Sequence, residues 1–512
     1  MHRKRSAKHY RCHRTDDRVS SRTPTRLAAL LTILGCVCPF SCSMCPPSVD
    51  GHTVTLTWGG LGLDYGLALS IGERRSKIVL GTFEGSVDFN PAGEASVCSV
   101  DRRGSFLAKY GPDHDLRWVR SWAGGEAFAW SPGESSVWAG CESASMVSDT
   151  GGNIYVIGEL FSKAQCAQRR AKWGAFLVKL DCSGAFQWGT AFRSQGCVID
   201  GIAVDERGSV LIGGNCLLSQ DDSAEPGPLR FAHPGAFMTK SDSTTGAPLW
   251  TLVWDHSTHG FIRDIAVSAE AEILICGLYS GTVDFDPGGG VVQQTSEGSF
   301  CDAHLTKLDS EGRLMWVRTW GGTTTTEAVA MALDADQNVY VTGYYDGTTD
   351  FDPGAGRSSY HSNGLQDCFI SKLTAHGDYL WTRTWGGELG DYCSDVAVDN
   401  DGESYVTGYF GPQGAVGLET LQQSQAILCA VSCDGLSVRQ CCLDCYNAII
   451  QGNALTLDSD GSVHIAGYFT GAVDFDAGAC MDLHTSKGSA DAFLLSLALK
   501  NDQFDPTSPS AN

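Results

Sequence analysis

The chain has 512 residues, 42% of them hydrophobic and 13 of them tryptophan, which excludes a disordered protein and allows a sizeable core. With 61 glycines and only 19% charged residues, a long coiled coil or a helical solenoid is excluded as well. Asp and Glu number 59 against 36 Lys and Arg, a net charge of −23; such a surface repels phosphate backbones, so nucleic acid is not an expected partner.

Basic residues crowd the start of the chain, from Arg3 to Arg26, and precede the uncharged stretch Leu27 to Phe40. A bilayer-spanning helix needs about 20 apolar residues, more than this run supplies. Residues 1–35 are therefore expected to be a signal peptide and 36–50 a linker. Within the run, Ile33-Leu34-Gly35-Cys36 resembles a bacterial lipobox, whose cysteine carries the lipid, although Leu34 stands where that pattern prefers a small or β-branched residue. Cys36 is the candidate lipidation site, with ordinary signal cleavage as the alternative. A lipid there is the one expected tie to a membrane. Export also frames the 21 cysteines, because disulfides persist in oxidising compartments. For the cluster Cys429, Cys433, Cys441, Cys442 and Cys445, the sequence leaves disulfides, free thiols and a metal site open.

From Thr53 onward one unit recurs. Its clearest copy runs from Glu327, as EAVAMALDADQNVYVTGYYDGTTDFDPG, to the DCFISKLTAHGDYLWTRTWGG that ends at Gly387. The glycine of VYVTGY returns as Gly81, Gly158, Gly214, Gly277, Gly343, Gly408 and Gly467, at a mean spacing of about 64 residues. These define copies one to seven. Nine residues earlier stands an aspartate in five copies: Asp149, Asp205, Asp334, Asp399 and Asp458. A tryptophan follows the DxFLxKL segment at Trp118, Trp188, Trp250, Trp316 and Trp381.

Each copy resolves into four short runs rich in Val, Ile, Thr and aromatic residues and bounded by Gly, Asp or Asn, the pattern of antiparallel strands. Four such strands repeated seven times predict an all-β fold, a seven-bladed β-propeller of four-stranded antiparallel blades spanning 51–499. Copy seven lacks its fourth run, and HTVTLTWGG (His52 to Gly60) precedes copy one. An N-terminal strand is thus expected to complete the last blade and close the ring, removing two open sheet edges. Residues 500–512 are expected to be a disordered tail.

GxVYVTGYFxGxVDFDPG followed by DxFLxKLDxxGxxxWxxxWGG resembles the bacterial seven-bladed propeller repeats called SBBP, and the strand layout is similar to NHL-type propellers. The resemblance covers about Thr53 to Leu499 and is strongest in copies four, five and seven; copies two, three and six lack VDFDPG. It implies an exported, surface-associated protein and carries no catalytic residues.

Four copies place paired polar residues beyond the repeat glycine: Asp88 and Asn90, Asp284 and Asp286, Asp350 and Asp352, Asp474 and Asp476. Side chains two apart in a strand share a face, so these oxygens are candidate calcium ligands. The competing reading is a turn in which each carboxylate accepts backbone amides and Pro and Gly complete the bend. Calcium is the one cofactor the sequence raises. The histidines of the Asp255, His256, His259 link lack the glutamate of a metalloprotease motif, and no nucleophile elbow, phosphate loop or dinucleotide fingerprint stands in a convincing context. The repeat tryptophans read as core.

Joins between second and third strands, and some links between copies, vary in length, notably Glu126 to Ser145 and Cys216 to Pro234. These emerge on one face, the usual seat of binding on a rigid scaffold. The sequence therefore predicts an exported, non-catalytic protein that binds an envelope protein or glycan through that face. The alternatives are a propeller hydrolase or lyase acting on envelope polysaccharide, and a structural surface or adhesion component.

Overall fold

The computed structural model describes residues 53–91, 93–123, 137–162, 172–192, 197–216, 235–255, 260–297, 300–411, 422–446, 448–476 and 481–498. Cys36, the expected signal peptide, linker and tail, and the stretches 217–234 and 256–259 lie outside these residues. Of Glu126 to Ser145, read above as a loop, the described part belongs to the strand Val137–Ser148. No helix among the described residues is long and apolar enough to cross a membrane.

The fold is all-β and antiparallel. In copy five the four strands are Thr326–Leu333, Val339–Asp350, Ser359–Leu373 and Tyr379–Trp385, each paired with the next. Copy three repeats this order with Cys197–Val204, Val210–Cys216, Gly235–Ser241 and Pro248–Asp255. In copy seven, Ile450–Leu457, Val463–Phe469 and Asp491–Leu497 are joined by Val54–Trp58 as the fourth strand, in register from Val54 opposite Ser496 to Trp58 opposite Ala492. The first strand of each copy packs beside that of the next, and Tyr65–Ile71 packs beside Ile450–Leu457.

The repeat glycine has a steric cause. In copies one and three to seven, the first strand carries a β-bulge just past the residue opposite this glycine. A Cβ at Gly343 would overlap the carbonyl oxygen of Glu327, and one at Gly408 that of Tyr392. Only glycine lets the two backbones approach so closely.

Apolar faces of neighbouring copies share their cores. One cluster joins Leu56, Trp58 and Leu494 to Leu69, Val79, Phe83 and Phe106, so the sheet completed by the N-terminal strand packs against copy one. The VDFDPG segments do more than turn. Their phenylalanines, Phe89, Phe285, Phe351 and Phe475, are buried, and the hairpins that carry them lean on the preceding copy, where Gly321 pairs with Asp350 and Asp444 with Asp474.

A disulfide joins Cys197 to Cys216 across the first two strands of copy three. Cys429, Cys441 and Cys445 are thiols raised in pKa by burial, the last two to about 12, so they are poor nucleophiles.

Candidate functional site

The two ends of the strands hold different chemistry. At the end where first and second strands turn, the repeat aspartate caps the hairpin. Asp334 Oδ1 accepts the amides of Asp336 at 3.0 Å and Asn338 at 2.8 Å, while Oδ2 meets Lys372 Nζ at 3.2 Å. Asp205 and Lys240 repeat the pair at 2.8 Å. The repeat tryptophan packs half-buried against the core, as its reading expects, and also reaches across to the next copy: Trp188 Nε1 donates to Ser243 O at 3.0 Å and Trp381 Nε1 to Cys433 O at 3.1 Å. The tryptophans of the fourth-strand ends, such as Trp58 and Trp320, are more deeply buried.

Copy seven alters this interlock. Ser496 stands where Lys372 stands in copy five, and His464 where Tyr340 does. His464 Nδ1 lies 2.8 Å from Ser496 Oγ and Nε2 lies 3.2 Å from Asp458; His114 of copy one shares Ser496 at 2.7 Å, and Arg75 donates to Asp458 at 2.7 Å. The set has the composition of an acyl-transfer triad, but Ser496 is 5% and His464 2% exposed, which bars substrate from the hydroxyl. Its role is to join the last copy to the first. Burial lowers His114 to about 4 and also lowers His464. Burial works against ionised Asp458, yet hydrogen bonds from Arg75 and His464 hold it at about 2.

The candidate calcium residues behave as turn caps. Asp284 Oδ1 accepts the amides of Asp286 at 3.1 Å and Val292 at 2.8 Å; Asp350 takes those of Asp352 at 3.3 Å and Ser358 at 2.7 Å; Asp474 takes those of Asp476 at 3.2 Å and Asp482 at 2.8 Å. Asp88 repeats the pattern with Asn90 and Ser96. Asp286 and Asp352 in turn accept from Gly288 and Gly354, each at 2.8 Å. Among the described residues no three His, Cys, Asp or Glu side chains group as metal ligands.

At the opposite end, two residues per copy face each other across the first and second strands: Tyr65 and Thr82, Glu327 and Tyr344, Tyr392 and Tyr409, Gln451 and Tyr468. Tyr344 and Tyr392 meet edge to face with centroids 5.1 Å apart, as do Tyr65 and Tyr468 at 4.7 Å. Tyr409 stands opposite Tyr392 across the first two strands of copy six, so five phenols line this end of copies five, six, seven and one as an arc. Tyr344 donates to Glu327 Oε2 at 2.5 Å, Tyr392 to Gln366 at 3.0 Å and Tyr468 to Gln451 at 3.0 Å. At one end of the arc Arg263 binds Glu327 at 2.7 Å and Asp200 at 3.3 Å; at the other Arg103 lies over Tyr65, 5.4 Å from the ring centroid. Burial and then the charge of Glu327 push Tyr344 up, so this phenol keeps its proton.

Sequence reading missed this arc, and also Asp264 and Asp395. These two stand just past the bulge, where other copies hold Ala, Gly or Ser, and each accepts an amide of the following copy, Met331 at 2.9 Å and Leu455 at 2.7 Å. Burial raises them to about 6 and about 7. The exchange of a small residue for Asp in an otherwise regular strand was the available signal.

No family model matches the chain. It is 29% identical over 178 residues to the regulatory protein FlaEY of Caulobacter vibrioides, and 24% identical over 196 residues to an uncharacterised WD repeat-containing protein of Acanthamoeba polyphaga mimivirus. Each match covers 34% of this chain but only 18% and 14% of those relatives. Among solved structures, the propeller domain of the Trilobed protease from Pyrococcus furiosus aligns over 88% of this chain and 100% of that one, at 9% identity and a TM-score of 0.43. An ulvan lyase aligns over 85% and 97%, at 11% identity and 0.43. A catalytically inactive virginiamycin B lyase from Staphylococcus aureus aligns over 87% and 100%, at 7% and 0.37. These neighbours are β-propellers.

Proposed function

We propose that the chain is an exported, seven-bladed propeller of SBBP type, closed by Val54–Trp58, that binds an envelope protein or glycan through the face bearing the tyrosine arc. One observation carries the reading: at the end opposite the hairpin caps, aromatic, carboxylate and guanidinium groups collect at positions where other copies hold Thr82, Asn215 or Leu278. A scaffold position that the fold leaves free and that nonetheless collects aromatic, carboxylate and guanidinium groups is a binding position. The pairing of Val54–Trp58 with Asp491–Leu497 and the packing of copy seven on copy one support closure. Residues 1–35 direct export, and Cys36 is the proposed lipid attachment point.

A binding screen of the purified chain from residue 51 against glycans and envelope proteins, with calcium and with chelator, tests the reading. Binding lost on substituting arc-face residues and kept on substituting turn-face residues supports it; the reverse rejects the choice of face. Deleting Val54–Trp58 is expected to lower the melting temperature of the whole ring, and an unchanged melting curve rejects closure. A second reading, a polysaccharide hydrolase or lyase, is favoured by the meeting of Arg263, Glu327 and Tyr344, which brings a cation, a carboxylate and a phenol to one place. Shortening of a bound polysaccharide on incubation separates it from simple binding.

A further inference from the structure

We infer that the tyrosine arc is a subsite for neutral hexopyranose chains, an inference that rests on the arc face being the binding face. The fold does not require these phenols. In the register of Tyr344, Tyr409 and Tyr468, the other copies hold Thr82, Glu159, Asn215 and Leu278, and their strands pair in the same way.

The chemistry of the arc matches a pyranose ring. Axial C–H bonds give a sugar an apolar face with a slightly positive skin, which is drawn to the negative face of an aromatic ring. Its equatorial hydroxyls project sideways and need both donors and acceptors. Glu327, Gln366 and Gln451 stand beside the rings, and Asn453 bridges Gln451 at 3.0 Å to the Gly66 carbonyl at 2.7 Å. The hydroxyls of Tyr344, Tyr392 and Tyr468 are already anchored, which fixes their rings before a ligand arrives and lowers the ordering cost of binding.

Charge selects the class. Arg263 is matched by two carboxylates, and Arg103 stands in register with Glu84 while donating to Thr82. Buried Asp64 lies near Tyr65 and buried Asp391 near Tyr409, so a uronate or sulfate there finds no unmatched cation and approaches a chain of net charge −23. A neutral chain pays no such penalty.

Calorimetry with short neutral glucan and mannan oligosaccharides, beside hexuronate and sulfated oligosaccharides, provides the test. The expected result is binding to a neutral chain, about tenfold or more weaker in Tyr392→Ala and Tyr409→Ala, the loss expected of an aromatic anchor. Tyr392→Phe, which keeps the ring and drops the bond to Gln366, is expected to bind within about threefold of the parent chain, less than one neutral hydrogen bond is worth when the ring still stacks. His376→Ala, on the exposed turn face, is expected to change nothing. Tighter binding of the charged oligosaccharides, or no glycan binding at all, overturns the inference. A protein ligand lost on other arc-face substitutions but indifferent to Tyr392→Ala and Tyr409→Ala overturns it while leaving the face assignment intact. Glycan binding abolished by His376→Ala and untouched by the tyrosine variants sinks both.

Discussion

At the turn end of the strands, Asp149, Asp205, Asp334, Asp399 and Asp458 cap the hairpin in five separate copies, each accepting an amide four residues ahead. At the other end, positions in one common register hold Thr82, Glu159, Asn215, Leu278, Tyr344, Tyr409 and Tyr468. The first set is repeated because every copy needs the same turn and the same grip on its neighbour. The second is free to differ because the bulge and the glycine, not these side chains, set the backbone there. The capping end of this chain is therefore support, and the opposite end is where side-chain chemistry differs from copy to copy.

Substitutions should separate the two roles by their effect on stability. The largest loss is expected where the backbones touch: Gly343→Val, which drives a side chain into the Glu327 carbonyl, should cost about 4 kcal/mol or more by urea unfolding. A loss under about 1 kcal/mol would show that the bulge yields to a side chain. Next comes the interlock, where Lys372 and Asp334 are only 10% and 8% exposed. Lys372→Ala strands a buried carboxylate and should cost about 3 kcal/mol, and Asp334→Asn in the same background should recover part of it.

The junction of copies seven and one adds a pH signature. His114 sits at about 4 in the folded chain, below its ordinary 6.5, so the unfolded chain takes up the proton first as pH falls. The stability tied to His114 is complete above about pH 6.5 and drains away toward pH 4, by about 1–3 kcal/mol. His114→Gln should lose less stability than the parent chain between pH 7 and pH 4, and equal losses would remove His114 from the account. A smaller effect is expected at the VDF turns: Asp284→Ala should cost about 1–2 kcal/mol, the value of a lost cap, equally in calcium and in chelator. A calcium-dependent difference would restore the metal reading. Smallest of all is Tyr392→Ala: the residue is 38% exposed and should be worth less than about 1 kcal/mol to folding. A large destabilisation there would make the arc support rather than site.

Much of the scaffold was legible because it repeats. The Val-rich runs, the D-x-D-G hairpins and the displaced fourth strand at Val54–Trp58 each leave a local pattern that strand periodicity explains. In the arc, Tyr344, Tyr409 and Tyr468 were visible as the residue after the repeat glycine, but that they join Tyr65 and Tyr392 depends on pairing and packing between copies. The same holds for His114 and Ser496, which lie at opposite ends of the described chain yet share a hydrogen bond. Trp188 and Trp381 were visible as landmarks, but that they cross to Ser243 and Cys433 depends on how one sheet stacks on the next. For VDFDPG the sequence offered a turn beside calcium ligation, and gave no sign of a hairpin resting on the preceding copy.

The pairing of Val54–Trp58 with Asp491–Leu497 has a consequence for biogenesis. A ribosome makes Val54–Trp58 long before Asp491–Leu497, so the first strand waits without its partner until the repeats between them have emerged. Throughout that interval a short, β-prone segment has no legitimate mate, and its proper neighbours among Phe83, Phe106 and Leu494 cannot be assembled. Chaperoning of the nascent N-terminal strand, rather than of any later one, is where quality control of this chain has the most to gain.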